Sequence, residues 1–453
     1  MSMTQRFDSI CIGTGTAAST VASRCRAAGW TVAIIDKRPF GGTCALRGCD
    51  PKKVLVGVAD VVDWARRMKG RGVDETGLRI EWSELMRFKR TFTDPVPQSK
   101  EDSFRKEGIA TFHGPARFKG PNSVEVGGQL LEARYIVIAT GAKPASLGIA
   151  GEDLITISDQ FLELDTLPPR IIFIGGGYIS MEFAHVAAIA GAKVTIVHRG
   201  PRPLEGFDPD LVAMVVAGLR EKGVDLQVNL RAEAVERSGN ALRLKAARDS
   251  RQLAFEADLI VHGAGRVADI DDLNLEAAKV EWDRRGVKVD EYLQSVSNPA
   301  VYSAGDAATS GNPPLTPVAG YEGDVVATNL LEGNRDKANP GAVPTVAFTI
   351  PPLASVGLRE DQAVSAGIRF RKTFQETQGW YSSRRINETH SGFKVLIDEA
   401  SDQILGAHLL GHNAEELINL FTVAINSKIR ASDLRKIIFA YPTHGSNVRY
   451  MLV

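Results

Sequence analysis

Two cysteines close together carry the first hint of chemistry, in Gly41-Gly42-Thr43-Cys44-Ala-Leu-Arg-Gly-Cys49-Asp-Pro-Lys52-Lys53. Such a pair can be two reduced structural thiols. It can be half of a zinc site, although no second Cys or His pair lies nearby in the sequence. It can also be a redox pair: four intervening residues at a helix start permit a disulfide if the helix opens locally. Lys52 and Lys53 follow directly, and a neighbouring cation lowers a thiol pKa and favours the reactive thiolate. At this point the three readings stay open.

The elements that would position such a pair are legible from two similar segments. Ser9-Ile-Cys-Ile-Gly13-Thr-Gly15-Thr-Ala-Ala18 runs on to Thr31-Val-Ala-Ile-Ile-Asp36. Arg170-Ile-Ile-Phe-Ile-Gly175-Gly-Gly177-Tyr178-Ile-Ser180 runs on to Lys193-Val-Thr-Ile-Val-His198. Each reads as strand, glycine turn, helix and second strand, and the first glycine precedes the strand end by 23 residues in both. A lone Gly-x-Gly is only a tight turn. Two copies in equal register predict two dinucleotide-binding βαβ units, with the glycines letting the backbone approach a pyrophosphate at the helix N-terminus. Ala18 and Ser180 stand where a third glycine would allow close helix packing.

Around these units the chain reads as nested domains. Tyr135–Gly141, Ala257–Arg266 and Ala300–Asp306 are further strand-and-turn segments, and the second βαβ unit lies between the first and last of them. The expected boundaries are residues 1–150 and 268–340 for the first nucleotide domain, 151–267 for the second, and 341–453 for a C-terminal domain. That last region holds a hairpin, Phe393–Asp398 with Gln403–Leu410, and a helix over Glu415–Asn426. The fold class expected is α/β: two Rossmann-like dinucleotide-binding domains plus a C-terminal α+β domain.

Composition restricts partners and compartment. The chain has 453 residues, 54 basic and 54 acidic, so its net charge is zero. This removes the electrostatic argument for nucleic acid or an anionic membrane as partner. Four cysteines are too few for a disulfide scaffold. Cys11 and Cys25, in the first βαβ unit, read as buried packing residues. The first residues lack a basic segment followed by an apolar core, and no uninterrupted apolar run reaches the ~18 residues of a membrane span. A cytoplasmic protein with no resident metal is expected.

Taken together, the Gly-Gly-Thr-Cys-x4-Cys-x-Pro-Lys string and the two nucleotide units resemble the two-cysteine pyridine nucleotide-disulfide oxidoreductases, which include glutathione reductase, dihydrolipoamide dehydrogenase and mercuric reductase. The resemblance covers essentially the whole chain. It implies FAD on the first unit, NAD(P)H on the second, and a homodimer whose C-terminal dimerisation domain completes the partner's active site. It also implies a Cys44–Cys49 redox disulfide, with Cys44 as interchange thiol and Cys49 as charge-transfer thiol. On the FAD side it implies Gly13, Gly15, Ala18, Asp36, Gly42, Thr43, Thr140, Gly141, Asp306 and Thr316. Lys52 and Glu182 match an ion pair at the flavin. Tyr178, which matches a ring covering the flavin, joins Gly175, Gly177, His198, Arg199 and Gly265 on the coenzyme side. At the end of the second strand His198 stands where NADH enzymes carry a carboxylate, and Arg199 can pair with a 2′-phosphate. NADPH is therefore expected over NADH, although Glu205 replaces the family's second arginine.

Two departures bear on the acceptor. The family's His-Pro-x4-Glu acid–base pair reads Tyr441-Pro-Thr-His444-Gly-Ser446 here, with Tyr441 in the histidine place. Phenols ionise near about pH 10 and are poor general bases at neutral pH, so His444 is the alternative acid–base. In addition, Asp324 stands where glutathione reductases place an arginine, and Ser23 where another would fall. The expectation is a reductase of a small-molecule disulfide or other electron acceptor, with glutathione disulfide not preferred. Mercuric reductases also carry a tyrosine near the histidine place, but this chain ends without their cysteine pair. The alternatives are reduction of metal ions, quinones or oxygen at the flavin, or a flavin-binding redox-responsive interaction module.

Overall fold

The computed structural model describes residues 4–453. The chain folds into two compact units. The first comprises residues up to Pro51, Phe88–Ala145 and Arg266–Pro340; the second comprises Lys52–Arg87, Ser146–Gly265 and Gly341–Val453. Lys52–Arg87, read from sequence as part of the first domain, thus belongs with the second unit.

The first unit is built on a seven-stranded sheet. Ala110–His113, Val32–Asp36, Gln5–Ile12 and Gln129–Ile138 lie side by side in parallel, and Val301–Ser303 adds in parallel to the last of them. Ile10, Cys11, Ile34, Ile35 and Ile136 are fully buried. These strands read as near-continuous apolar runs because a parallel sheet is covered on both faces. Helices Thr16–Ala27 and Thr316–Glu332 pack against each other. Cys11 and Cys25 are buried in the apolar cluster between helix and sheet.

In the second unit, Asp225–Gln227, Lys193–Val197, Arg170–Ile174 and Leu259–His262 form a parallel four-stranded sheet. Helix Tyr178–Ile189 connects its two central strands. Residues 341–453 add a five-stranded antiparallel sheet in the order Thr345–Ala347, Leu353–Gly357, Ile404–Leu410, Gly392–Asp398, Phe370–Glu376. Helix Ala414–Asn426 covers it through Leu417, Ile418, Phe421 and Ala424, the i, i+1, i+4, i+7 spacing of one apolar stripe.

Both glycine turns are forced by close backbone approach. Gly13 has φ +114°, and a Cβ there would collide with the Ala139 carbonyl oxygen. Gly175 has φ +108°, and a Cβ there would collide with the Gly263 carbonyl oxygen. In each case a neighbouring strand end crosses directly over the turn, and only glycine fits.

Candidate active site

In the first unit one cleft gathers most of the residues singled out from the sequence: Gly13, Gly15, Asp36, Gly42, Thr43, Cys44, Cys49, Thr140, Gly141, Asp306 and Thr316 all line it. Ala18 does not line it; it is buried in the helix that starts there. The two cysteines fall on separate helices, Gly42–Arg47 and Cys49–Arg67, divided at Gly48. A Cβ on Gly48 would lie 2.9 Å from the Thr43 carbonyl oxygen, so the turn that reorients the chain between the cysteines admits no side chain.

The sulfurs are in hydrogen-bond contact as free thiols. The Cys44 thiol is pushed far above the ordinary thiol range, first by its hydrogen bond to Cys49 and then by burial, while the Thr316 hydroxyl works in the opposite direction. Thr316 Oγ1 stands 3.4 Å from Cys49 Sγ, and Cys49 is the first residue of its helix, where the helix dipole favours a negative charge. Asp50 Oδ1 lies 3.9 Å from Cys44 Sγ and adds to the cost of ionising Cys44.

The rest of the cleft suits a dinucleotide. Backbone N–H groups at the start of helix Thr16–Ala27 are free of side-chain caps and form an anion site. Thr140 Oγ1 is buried with no hydrogen-bond partner among the described residues, the mark of a group that awaits a ligand. Asp306 is raised above the usual carboxylate range by burial, with Arg266 opposing. Asp36 accepts from Thr14 Oγ1 at 2.6 Å and from the Arg38 backbone N–H at 2.9 Å.

Three supporting groups here had no sequence signal. Thr14 ties Asp36 to the Gly41 N–H, from which its hydroxyl accepts at 3.1 Å. Glu322, 1 % exposed, accepts from Gly305 N at 2.6 Å and Asn312 Nδ2 at 2.9 Å, and so anchors the turn that carries Asp306. Arg24 pairs with Asp324 at 3.2 Å and also donates to its carbonyl oxygen.

The second unit holds a further cluster. Lys52 Nζ meets Glu182 Oε1 at 2.9 Å, and both side chains are largely buried. The same Glu182 oxygen accepts from Phe348 N at 2.8 Å, and the Lys52 ammonium lies 4.2 Å from the centre of the Phe348 ring. Tyr178 donates to or accepts from Thr345 Oγ1 at 2.6 Å and packs edge-on to Phe207. At the strand end, the His198 ring is flanked by Glu205, whose Oε1 lies 3.4 Å from Nε2. Arg202 is spent on the carbonyl oxygens of Leu204, Glu205 and Phe207, whereas Arg199 is exposed. A carboxylate is thus supplied near the strand end after all, from the following loop, beside the exposed Arg199.

The Tyr441–Ser446 segment, also in the second unit, separates its two candidate acid–base groups. Tyr441 is 80 % exposed. His444 turns inward, its Nε2 buried, with its ring 5.8 Å from that of His412. Burial lowers its pKa to about 4, so the imidazole is neutral at pH 7.

Comparison with known proteins agrees with this geometry. Residues 7–323 match the family described as pyridine nucleotide-disulphide oxidoreductase, and residues 343–452 match the dimerisation domain of the same family. The chain is a pyridine nucleotide-disulphide oxidoreductase. Members of this family use FAD and NAD(P)H and work as NAD(P)H-dependent flavoprotein disulfide oxidoreductases. The oxidoreductase is 34 % identical to a glutathione reductase of Burkholderia cepacia over 444 residues, 96 % of each chain. It is 31 % identical to a mercuric reductase of Bacillus cereus over 98 % of this chain and 70 % of that protein. In structure it resembles the HOCl-induced flavoprotein disulfide reductase RclA from Escherichia coli, with a TM-score of 0.88, 27 % identity and 98 % and 99 % of the two chains covered; RclA has also been solved as a Cu(II) complex. No helix among the described residues of the oxidoreductase is long and apolar enough to cross a membrane.

Proposed function

We propose that this oxidoreductase passes electrons from NADPH to a small-molecule disulfide or related thiol-reactive acceptor through a Cys44–Cys49 dithiol. The observation that carries the reading is the placing of that dithiol: the two sulfurs meet in the cleft that Gly13, Asp36, Thr140 and Asp306 line, with the Thr316 hydroxyl 3.4 Å from Cys49 Sγ and Cys49 at a helix start. Gly13, Gly15, Asp36, Thr140 and Asp306 would hold FAD, and Lys52, Glu182, Tyr178 and Arg199 would serve the coenzyme side. Bound FAD supplies two-electron transfer between the reduced nicotinamide and the cysteines.

The dithiol's own steps follow thiol–disulfide exchange. Cys44 loses its proton, its sulfur attacks one sulfur of the acceptor disulfide, and the other acceptor sulfur leaves as a thiolate. Cys49 then attacks Cys44 in the mixed disulfide, which expels the second acceptor thiolate and closes the Cys44–Cys49 bond. The cysteines lose two electrons, the acceptor gains two, and both released sulfurs take protons. Because Cys44 begins protonated, a base must take its proton; the Tyr441–Ser446 segment, working across the dimer on the partner's dithiol, is assigned to that step.

Glutathione disulfide is a poor fit. Its carboxylates meet no spare cation at Asp324, whose charge is already paired with Arg24, and Ser23 donates to Glu107 at 2.7 Å. The cation that would recognise a glutathione carboxylate is therefore missing at both places. Replacing Cys44 with serine tests the reading: disulfide-acceptor turnover should fall at least a thousand-fold while reduction of bound FAD by NADPH persists. Undiminished turnover in Cys44→Ser would contradict it.

A second reading has two supports, the mercuric reductase likeness and the Cu(II) complex of RclA. Here a soft metal ion is the substrate and the thiolates deliver it for reduction. Turnover of Cu(II) or Hg(II) that exceeds every disulfide tried, and that falls with Cys44→Ser, would favour this reading.

A further inference from the structure

A cavity of about 30 Å³ lies inside the C-terminal sheet-and-helix layer, and Glu388, His412, His444 and Asn447 line it. Glu388 is 5 % exposed. Its Oε1 accepts from the His412 backbone N–H at 2.9 Å, and its Oε2 has no hydrogen-bond partner among the described residues. His444 lines the same cavity, and its Nε2 is also buried without a hydrogen-bond partner among the described residues. The neighbouring hydroxyls are committed to each other: Thr377 Oγ1 donates to Ser391 Oγ at 3.0 Å, and Ser383 Oγ lies 2.9 Å from it.

The charges around this pair are settled elsewhere. From helix Cys49–Arg67 come Asp60, Asp63 and Arg67. Arg67 is held by Asp63 at 2.8 Å and by the Ile386 carbonyl at 2.6 Å, and Lys222 also meets Asp63. Arg385, Glu415 and His412 face His444; Arg385, Arg67, Asp60 and Glu415 face His412. Among the described residues no cation is hydrogen-bonded to Glu388. Burial, with Asp60 and Asp63 in support, raises its carboxyl to about 7, against the pull of Arg67 and the His412 N–H.

We propose that Glu388 is a positioning residue, linked through cavity water to His444 Nε2, and that it decides which nitrogen of that imidazole carries the proton. The cavity is about twice what one water needs, and the two orphan atoms are polar partners for it. A neutral imidazole has one donor and one acceptor nitrogen. Protonated Glu388 donates into the water, so Nε2 accepts and the ring proton sits on Nδ1. Ionised Glu388 accepts, the water turns round, and the ring proton moves to Nε2. The net change is one proton released to solvent.

The Tyr441–Ser446 turn is otherwise bonded mainly to itself, through Thr443 Oγ1 to Ala440 O and Ser446 Oγ to Thr443 O. Reversing the polarity at His444 therefore shifts the segment that carries Tyr441. The consequence for turnover rests on the proposed role of that segment, but the tautomer change does not.

The test uses the FAD-loaded chain with ¹⁵N-labelled histidine, and the signal is assigned with His444→Gln. In the native protein the His444 nitrogens should exchange donor character with an inflection near pH 7. In Glu388→Gln that inflection should vanish, and Glu388→Asp should restore one. The pH profile of disulfide-acceptor turnover should lose a two- to five-fold change over the same range in Glu388→Gln, with NADPH reduction of FAD unchanged. An inflection that survives Glu388→Gln, or is absent from the native protein, overturns the linkage. An inflection lost in Glu388→Gln while the turnover profile stays unchanged overturns the positioning role. Failure of Cys44→Ser to affect turnover would instead sink the dithiol reading and leave the nitrogen titration standing.

Discussion

Cys44 and Cys49 sit five positions apart, and the unlike parts proposed for them rest on what touches each. A donor near a thiolate lowers the cost of the charge; a second thiol and an adjacent carboxylate raise it. The Thr316 hydroxyl, at 3.4 Å from Cys49 Sγ, can supply such a donor. Replacing Thr316 with the isosteric valine removes a hydrogen bond to an ionised group, worth about 1.5–3 kcal/mol. Alkylation of the reduced dithiol by iodoacetamide at pH 7 should then slow about ten-fold, as read by mass spectrometry. An unchanged rate would remove Thr316 from the account. The family string names the positions of the two cysteines, and the resemblance gives Thr316 only as a residue on the FAD side, not as a neighbour of Cys49. It did not foretell Thr14, Glu322 or Glu205, whose contacts join residues brought together only by folding. Nor did spacing say which way His444 points, since a half-buried imidazole and an exposed one look the same in sequence.

The interruption between helices Gly42–Arg47 and Cys49–Arg67 is what lets the sulfurs meet. A continuous helix would place residues five apart on different faces. The redox reading of the sequence holds only if a helix opens between the cysteines, and the break falls at Gly48. Gly48→Ala brings a Cβ to within 2.9 Å of the Thr43 carbonyl, so one helix must shift. Closure of the reduced pair by a small disulfide reagent should slow several-fold at unchanged Cys44 accessibility; closure at the native rate would contradict this role for the break. The two βαβ units were legible for a similar reason: apolar runs, glycine turns and strand ends recur at a fixed spacing, and each glycine is forced by a strand end crossing it. The allegiance of Lys52–Arg87 to the second unit was not legible. It depends on Leu55, Ala59, Val62 and Met86 sharing an apolar cluster with Phe173 and Phe183, and no local pattern announces that.

Folding stability of the chain as a whole should carry the mark of one buried acid. Glu388 holds its proton to about pH 7 in the folded state, against 4.5 for the ordinary group. A raised carboxyl pKa makes the folded state bind the proton more tightly, so stability falls as pH rises from 4.5 to 7 and is flat beyond. At 1.36 kcal/mol per unit the loss is at most about 3 kcal/mol. Thermal unfolding of FAD-loaded Glu388→Gln against the native protein should show the variant gaining, relative to native, between pH 4.5 and 7.5. A difference that does not change with pH would contradict the burial of an acid there. The matched dimerisation domain and the exposed Tyr441 fit a molecule in which the C-terminal segment of one protomer serves its partner.

The most direct test of the electron path is a count of thiols. The oxidised, FAD-loaded protein is mixed anaerobically with one equivalent of NADPH per chain, quenched with an alkylating reagent, and mapped by mass spectrometry. The account predicts that Cys44 and Cys49 pass together from a disulfide to two alkylated thiols, while Cys11 and Cys25 are unaltered. Consumption of the NADPH with Cys44 and Cys49 unchanged would mean that the dithiol is not in the circuit.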